Sequence, residues 1–250
     1  VARSGTNLRF APFKGNHVAC WNDVSSSWNA EAIPDAGITV ACTGLSANTA
    51  YFLYVYNNAG TLTLDLSTTG TSTKNGILVK SAVQARTLIA YCYANVAGAI
   101  TTYVETPSAH LVCNVFLKRP ITLSSTTNTD SWTQTSTSFV ISNADVSRSV
   151  SFTSDGFFGV QGTVSISQSG VAYSTVGIGL NSTTVNSAQS HSGVNSSTAN
   201  RVDCQYGGVP AAGFNTLYWL EAVNSGTQTF YGDNGITILG PSGLVVHGQW

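Results

Sequence analysis

Short runs of alternating apolar and polar residues beside turn-forming residues are the feature that most limits how this chain can fold. The first clear case covers residues 51–66, where two alternating segments flank the tetrapeptide NNAG at 57–60. Alternate side chains of a strand point to opposite faces, and Asn and Gly favour tight turns. The pattern therefore predicts a β-hairpin with one apolar face.

Similar segments recur and predict further short strands. In the first half they cover residues 77–80, 86–93, 100–103 and 111–117. Asn75-Gly76, ahead of the first of these, favours a tight turn. In the second half, residues 163–167 and 176–180 alternate on either side of Ser169-Gly170, which predicts another hairpin. No segment of convincing length has a helical period, and no repeat of fixed length indicates a solenoid.

These strands predict an all-β fold with two β-sandwich domains of jelly-roll type, built from short antiparallel strands. Pro120 lacks a backbone donor and is followed by a long hydroxyl-rich stretch, so we place the boundary there. The predicted domains are residues 1–119 and 120–250. Ser187 to Asn200 is polar without an apolar stripe and predicts a long surface loop.

The composition excludes several classes of protein. Hydrophobic residues make up 42% of the chain and charged residues only 8%, while Ser and Thr contribute 62 of 250 residues. A coiled coil needs far more charge on its exposed faces, and a disordered chain has fewer apolar residues. Ten basic and eleven acidic residues without a basic cluster disfavour a nucleic-acid partner. The longest apolar stretch, Leu88 to Ile100, is too short to span a membrane.

Five cysteines stand singly inside apolar, strand-like segments: Cys20, Cys42, Cys92, Cys113 and Cys204. Their number is odd, and none has the CxxC spacing of a redox or zinc motif. We expect small buried side chains at these positions, because free Cys is commonly buried. A single disulfide between neighbouring strands is an alternative that the spacing leaves open.

No motif in the sequence predicts catalysis, a metal or a cofactor. The chain lacks a GxSxG nucleophile motif and a phosphate-binding loop, and its four histidines are widely separated. A glycosidase needs two nearby carboxylates, and the only glutamates are Glu31, Glu105 and Glu221. Asp155 and Asp233 lie in turn-like segments without the spaced acids of a calcium loop. We therefore expect no catalytic residue, no metal site and no cofactor.

Aromatic and histidine side chains are the remaining candidates for a contact surface. Four tryptophans, Trp21, Trp28, Trp132 and Trp219, are interpreted as core residues, with a sugar-binding platform as the alternative. His191 lies within the predicted loop and is a candidate surface contact, although a solvated histidine is the simpler interpretation because no acid or Cys is adjacent in the sequence. Trp250 is the second candidate, because a terminal aromatic often docks onto its own domain or a neighbour.

Several strings, taken in order, resemble a family of tailed-bacteriophage and prophage virion structural proteins. They are FAPFKGNHVACWN, YFLYVYNNAGTLTLDLS, NGILVKSAVQARTLIAYCY, FLKRP, TDSWTQTS, VGIGLNSTTVNSAQ, LYWLEAVNSGTQTFYGDNG and GLVVHGQW. The resemblance extends over nearly the whole chain. It departs from the family pattern at Ala82, Asn181 and Phe230, where Gly, Asp and Trp respectively are expected.

The resemblance implies a non-enzymatic virion component, such as a fibre, spike or decoration protein, with other virion proteins and copies of itself as partners. We expect a homotrimer, with residues 1–119 attaching and residues 120–250 displayed and able to fold alone. Phage particles assemble in the bacterial cytoplasm, where thiols stay reduced. The alternative function is a receptor-binding module that recognises a bacterial surface glycan through loops such as 187–200 and 207–213.

Overall fold

The chain is nearly all β-structure. The computed structural model describes residues 1–4, 6–95, 108–116, 118–127, 129, 131–157, 159–188, 190–191, 193–232 and 242–249. Within them, helix is confined to a 3-10 turn at Ser142–Ala144. This part of the chain holds no helix with the length and apolar character needed to cross a bilayer. The predicted all-β class with packed antiparallel sheets is confirmed.

The strands before residue 120 form three antiparallel sheets and one parallel contact. Their bounds are β1 Ala2–Ser4, β2 Asn7–Phe10, β3 His17–Asn22, β4 Ser27–Ala32, β5 Ile38–Ala41, β6 Thr49–Asn58, β7 Thr61–Ser67, β8 Thr71–Lys74, β9 Ile77–Lys80, β10 Val83–Ala94, β11 Ala109–His110 and β12 Val112–Asn114. The largest of these sheets has the order β7-β6-β10-β9-β8, with β12 also paired to β10. β1, β2 and β5 form a second sheet, and β3 and β4 form a ribbon.

Two predicted turns in this half are confirmed. β6 and β7 meet at Ala59-Gly60, where φ is 50° and 93°. Asn57 Oδ1 accepts a hydrogen bond from the Gly60 N–H at 2.6 Å, which closes the turn. Asn75 and Gly76 join β8 to β9 with φ of 50° and 82°. Positive φ at both central positions matches the twist of a hairpin, and Asn and Gly tolerate it best.

The strands after residue 120 form one large sheet system. Their bounds are β13 Pro120–Thr127, β14 Ser131–Gln134, β15 Val140–Ile141, β16 Ser149–Ser154, β17 Val160–Leu180, β18 Ser190–His191, β19 Gly193–Gly208, β20 Gly213–Val223, β21 Gln228–Tyr231 and β22 Ser242–Gln249. β11 joins this system through a parallel pairing with β16. Apart from β11, the described strands on each side of residue 120 pair only among themselves. The division into domains at that point stays a prediction.

β17 organises this half of the molecule. Along one edge it pairs in turn with β22, β21 and β20, and along the other edge it pairs with β19. Its 21 residues give a contour of roughly 70 Å, long enough to serve all three partners. A single strand therefore ties the β13–β22, β14–β21 and β16–β20 pairs together.

Two sequence-based expectations about this region are wrong. Ser169-Gly170 was predicted as a turn, but it lies inside β17, where Gly170 is opposite both Ser196 and Gln228. Hydrogen bonding on both edges holds the segment extended and overrides its local turn propensity. Residues 187–200 were predicted as a loop, but β18 and the first half of β19 occupy most of them. Polar strands without an apolar stripe are compatible with a position near a sheet edge.

Two hydrophobic cores lie on opposite faces of the sheet that contains β6 and β10. The N-terminal core includes Leu53 and Ile89, with residues from β2, β3 and β12. The shared core includes Tyr54 and Leu88, with buried residues from β13, β16, β17, β20 and β22. Because successive residues of β6 enter different cores, the prediction of a single apolar face is wrong for that strand. The predicted strand at 100–103 lies outside the described residues.

All five cysteines are buried and none forms a disulfide. The expectation of small buried side chains is confirmed, and the alternative of one cross-strand disulfide is wrong. Cys92 belongs to the N-terminal core and Cys113 to the shared core, on opposite sides of the same sheet.

Candidate functional site

A cleft lies in the N-terminal half, among residues of β2, β3, β9 and β10. It has a volume of about 380 Å³. Its floor consists of buried apolar side chains from β2, β3 and β10 and from the segment before β5. These floor residues are Phe10, Val18, Ile33 and Ile89. Its wall includes Ile77 at the start of β9. We call this feature the N-terminal cleft. The cleft is open to solvent beside the exposed side chains of Phe13 and Phe116.

Besides Lys14, the residues with polar groups that line the N-terminal cleft are Val1, His17, Thr87 and Asn114, and the Val1 amine donates a hydrogen bond to Asn114 Oδ1 at 2.6 Å. Thr87 is buried in the cleft, and its hydroxyl donates a hydrogen bond to the Ala19 carbonyl at 2.7 Å. Among the described residues that line the cleft, none carries a carboxylate or a thiol. The floor of the cleft therefore suits an apolar occupant.

The mouth of the cleft combines exposed aromatic rings with positive charge. Phe13 and Phe116 line the mouth and are 57% and 61% exposed. Lys14 Nζ lies 5.9 Å from the centre of the Phe13 ring, and the Arg119 guanidinium lies 5.2 Å from it. Neither cation forms an ion pair within the described chain. Lys14 and Arg119 thus both lie beside the apolar mouth of the cleft without an ion-pair partner among the described residues.

A second polar feature is the buried carboxylate of Glu221 on β20. Trp132 Nε1 donates hydrogen bonds to both of its oxygens, at 3.0 and 3.2 Å, and Ser142 Oγ donates one at 2.6 Å. The Arg148 guanidinium stacks over the rings of Trp132 and Trp219, 5.4 and 5.8 Å from their centres. Glu221 therefore connects β14, β20 and the 3-10 turn inside the C-terminal half.

Burial raises the pKa of Glu221 to about 7, although the hydrogen bonds from Ser142 and Trp132 and the charge of Arg148 act in the opposite direction. Glu221 has no solvent exposure, so a substrate has no path to its oxygens. This geometry fits a structural carboxylate whose charge depends on pH. Of the other glutamates, Glu31 lies on β4 in the N-terminal half, and Glu105 lies outside the described residues.

A third feature joins the two halves. Lys118 Nζ lies 2.6 Å from Asp155 Oδ2 and 3.1 Å from Cys113 Sγ. The rings of Tyr93 and Phe214 stack with their centres 3.7 Å apart. These contacts flank the shared core and connect β10 and the segment before β13 to β16 and β20.

The two predicted surface contacts have different outcomes. The backbone of His191 lies in β18 opposite Cys204, so this residue is in a strand and not in the predicted loop. Trp250 lies outside the described residues. No group of three or more His, Cys, Asp and Glu side chains with metal-binding geometry occurs in the described chain. His191 and Trp250 stay predictions as contact residues.

The tryptophans are packed mainly against protein groups. Trp132 and Trp219 belong to the shared core. Trp21 and Trp28 face each other across the β3–β4 ribbon, with ring centres 5.5 Å apart. Lys74 Nζ covers the Trp21 ring at 3.9 Å. A protein cation thus occupies one face of the Trp21 ring.

Sequence reasoning did not find the N-terminal cleft, the role of Glu221 or the Lys118–Asp155 pair. Each depends on residues far apart in the chain, and no local spacing brings them together. The one signal for Glu221 in the sequence is its alternation with Leu217 and Trp219. This alternation puts the carboxylate on the same side of the strand as a tryptophan that is interpreted as buried.

Comparison with models of known protein families gives no match, and comparison with curated proteins gives none either. Among solved structures, the chain has a likeness to the structure of infectious bursal disease virus Gx strain. The two are 10% identical with a TM-score of 0.31, over 98% of this chain and 75% of that chain. A likeness at that level carries no argument about the function of this protein.

Proposed function

We propose that this protein is a non-enzymatic structural component of a bacteriophage particle, located on the particle surface as a fibre, spike or decoration. The observation that carries the proposal is that buried charged groups of the protein bind other protein groups. Lys118 and Asp155 bind each other, and Glu221 binds Trp132 and Ser142 inside the core. These groups hold strands together, and none of them lines the N-terminal cleft.

The architecture supports the same proposal. One sheet is buried on both faces, and its shared core includes side chains from both halves of the chain. Such packing gives a stiff body, because close-packed interiors have low compressibility. A particle component needs stiffness and a large contact surface more than a mobile active site. The sequence resemblance to virion structural proteins supports the assignment independently.

The expected partners are other virion proteins and further copies of this chain, with threefold symmetry. The state of the cysteines supports assembly in the bacterial cytoplasm, since five buried thiols without a disulfide are usual where thiols are kept reduced. Large apolar side chains remain exposed at several positions, and Phe13, Phe116 and Phe157 are each more than half exposed. Exposed aromatic residues are enriched at protein interfaces.

The alternative function, recognition of a bacterial surface glycan, receives less support. It depended on loops such as 187–200 and 207–213. Most of the first segment is β-strand, whereas residues 209–212 of the second connect β19 to β20. Trp21, a candidate for a sugar platform, is covered by Lys74. We therefore retain the structural assignment as the proposal.

The test is to locate the chain on particles. Antibodies raised against the purified protein are used to label phage particles induced from the bacterium that carries the gene, and cryo-electron microscopy then counts the labelled positions. A copy number that matches capsid symmetry indicates decoration, and a small number at the tail indicates a fibre or tip protein. Absence of the chain from purified particles contradicts the proposal. Binding of the purified protein to host cells, tested in parallel, distinguishes adhesion from decoration.

A further inference from the structure

We infer that the N-terminal cleft is a binding site for a small amphiphilic organic anion, one with an alkyl or aromatic body and a single carboxylate or sulfonate group. This inference does not depend on the proposed function. It concerns a site that sequence reasoning did not predict.

The size and lining of the cleft define the apolar part of the ligand. A volume of about 380 Å³ lies at the lower end of the range for small-molecule sites. The floor residues Phe10, Ile33 and Ile89 are buried and wholly apolar. The hydroxyl proton of Thr87 is already donated to Ala19. Two further polar groups of the lining also have partners, since the Val1 amine bonds Asn114 Oδ1 and His17 Nδ1 bonds Asn16 Oδ1. Against the apolar floor, a ligand body with polar groups would lose hydrogen bonds to water without replacement, and an alkyl or aryl body loses none.

The charge at the mouth defines the other end of the ligand. Lys14 and Arg119 both approach the ring of Phe13, and neither has an ion-pair partner in the described chain. No carboxylate lines the cleft among the described residues. An anionic group placed beside Phe13 would gain two charge-assisted contacts, whereas a cationic group would be repelled by both side chains. Charge complementarity therefore selects an anion.

The aromatic rings at the mouth add to this selection. Phe13 and Phe116 are more than half exposed, and an apolar body that enters the cleft removes part of their surface from water. The binding free energy from this apolar burial does not depend on the ligand's charge. An uncharged or cationic ligand with the same apolar body would therefore keep this contribution and lose only the contribution from the contacts with Lys14 and Arg119.

The experiment uses the full chain and two probes with the same alkyl body and opposite charge. Decanoate and decyltrimethylammonium are titrated into the protein below their micellar concentrations, with binding measured by isothermal titration calorimetry. We expect saturable binding of one decanoate per chain and at least about tenfold weaker binding of the cation. Equal affinity for the two probes, or no saturable binding of decanoate, would overturn the inference.

Two variants locate the site. Ile77→Trp places a larger side chain in the wall of the cleft and should abolish decanoate binding. The double variant Lys14→Glu, Arg119→Glu changes only exposed side chains. It should weaken decanoate binding by about tenfold or more. It should also reduce the ratio of the affinity for decanoate to the affinity for decyltrimethylammonium. A control at equal charge change compares the single variant Lys14→Glu at the mouth, which should also weaken decanoate binding, with Arg201→Glu on β19, which should leave decanoate binding within about twofold. Decanoate binding that is equal in Lys14→Glu and in Arg201→Glu would place the ligand elsewhere and refute the inference, even if Ile77→Trp fails to fold.

Discussion

The Lys118 ammonium lies 2.6 Å from Asp155 Oδ2, and this ion pair is almost completely shielded from solvent, with side-chain exposures of 11% and 6%. Asp155 Oδ1 also accepts the backbone N–H of Phe157, and Lys118 donates to Cys113 Sγ. The pair connects the segment before β13 to the end of β16, beside the shared core. Both charges are therefore compensated by specific partners at the point where the two halves of the chain meet.

Removing one member of this pair should destabilise the protein strongly. Asp155→Ala leaves the Lys118 ammonium buried without its carboxylate, and we expect a loss of about 3 kcal/mol or more in the free energy of unfolding. Lys118→Met should have a similar effect, and the double variant should lose less than the sum of the two, because no lone charge remains buried. Urea denaturation of the full chain measures all three.

The control for this prediction is the exposed pair Arg201–Asp203, whose side chains are 59% and 55% exposed. Asp203→Ala should change the unfolding free energy by less than about 1 kcal/mol, since exposed ion pairs contribute little. If Asp155→Ala lowers the unfolding free energy no more than Asp203→Ala does, the Lys118–Asp155 pair does not stabilise the contact between the two halves of the chain.

The parts of the fold that the sequence predicted are those governed by local interactions. Asn75-Gly76 forms a turn because its positive φ angles are set by the two residues themselves. Ser169-Gly170 has comparable turn propensity, yet it remains extended because β17 is paired along both edges at Gly170. The difference lies in neighbouring strands that local sequence does not reveal.

The candidate sites were harder to predict for the same reason. Glu221 receives hydrogen bonds from Trp132 and Ser142, which are 89 and 79 residues away in the chain. The N-terminal cleft likewise collects residues between Val1 and Phe116. Composition and spacing predicted the class of fold, and only the packing of distant strands created the sites.

Glu221 should make stability depend on pH. Its folded pKa of about 7 lies above the ordinary value of 4.5, so between these pH values the folded state keeps a proton that the unfolded state has lost. The contribution of Glu221 to the free energy of unfolding is therefore fully present below about pH 4.5. It falls as the pH rises toward 7 and then levels off, and the total decrease is about 3 kcal/mol. Urea denaturation between pH 4.5 and 8.5 measures this change.

The variant Glu221→Gln isolates the effect from other titrating groups. Its amide oxygen still accepts from Trp132 and Ser142, but the side chain does not ionise. We expect the wild type to be more stable than the variant at pH 5 and to lose that advantage by pH 8. Parallel pH profiles for the two proteins would show that Glu221 is not the titrating group.

Gly179 should tolerate no larger residue. It lies in β17 beneath the segment that follows this strand, and a Cβ there would lie 2.0 Å from the Ser182 carbonyl oxygen and 3.0 Å from that of Val185. The Ser187 N–H bonds the Ile178 carbonyl at 2.7 Å and holds this segment in place. Gly179→Ala should therefore lower the unfolding free energy by about 2 kcal/mol or more.

The matched control for this substitution is Gly15→Ala, because a Cβ at Gly15 meets no atom within 4 Å. Its unfolding free energy should stay within about 0.5 kcal/mol of the wild type in the same urea titration. Equal stability of the two variants would mean that the segment after β17 moves away from Gly179 at little cost.

The cysteines should be unreactive in the folded protein. Burial raises the pKa of Cys20 to about 11 and that of Cys204 to about 12, and it raises the pKa of Cys92 and Cys113 as well. Only the thiolate attacks an aromatic disulfide reagent, so at pH 8 both the low thiolate fraction and burial slow the reaction. We expect almost no colour from Ellman's reagent with the native chain and five reactive thiols per chain in concentrated urea. A thiol that reacts within seconds in the native protein would contradict the burial of all five, and mass spectrometry of the labelled peptides would identify it.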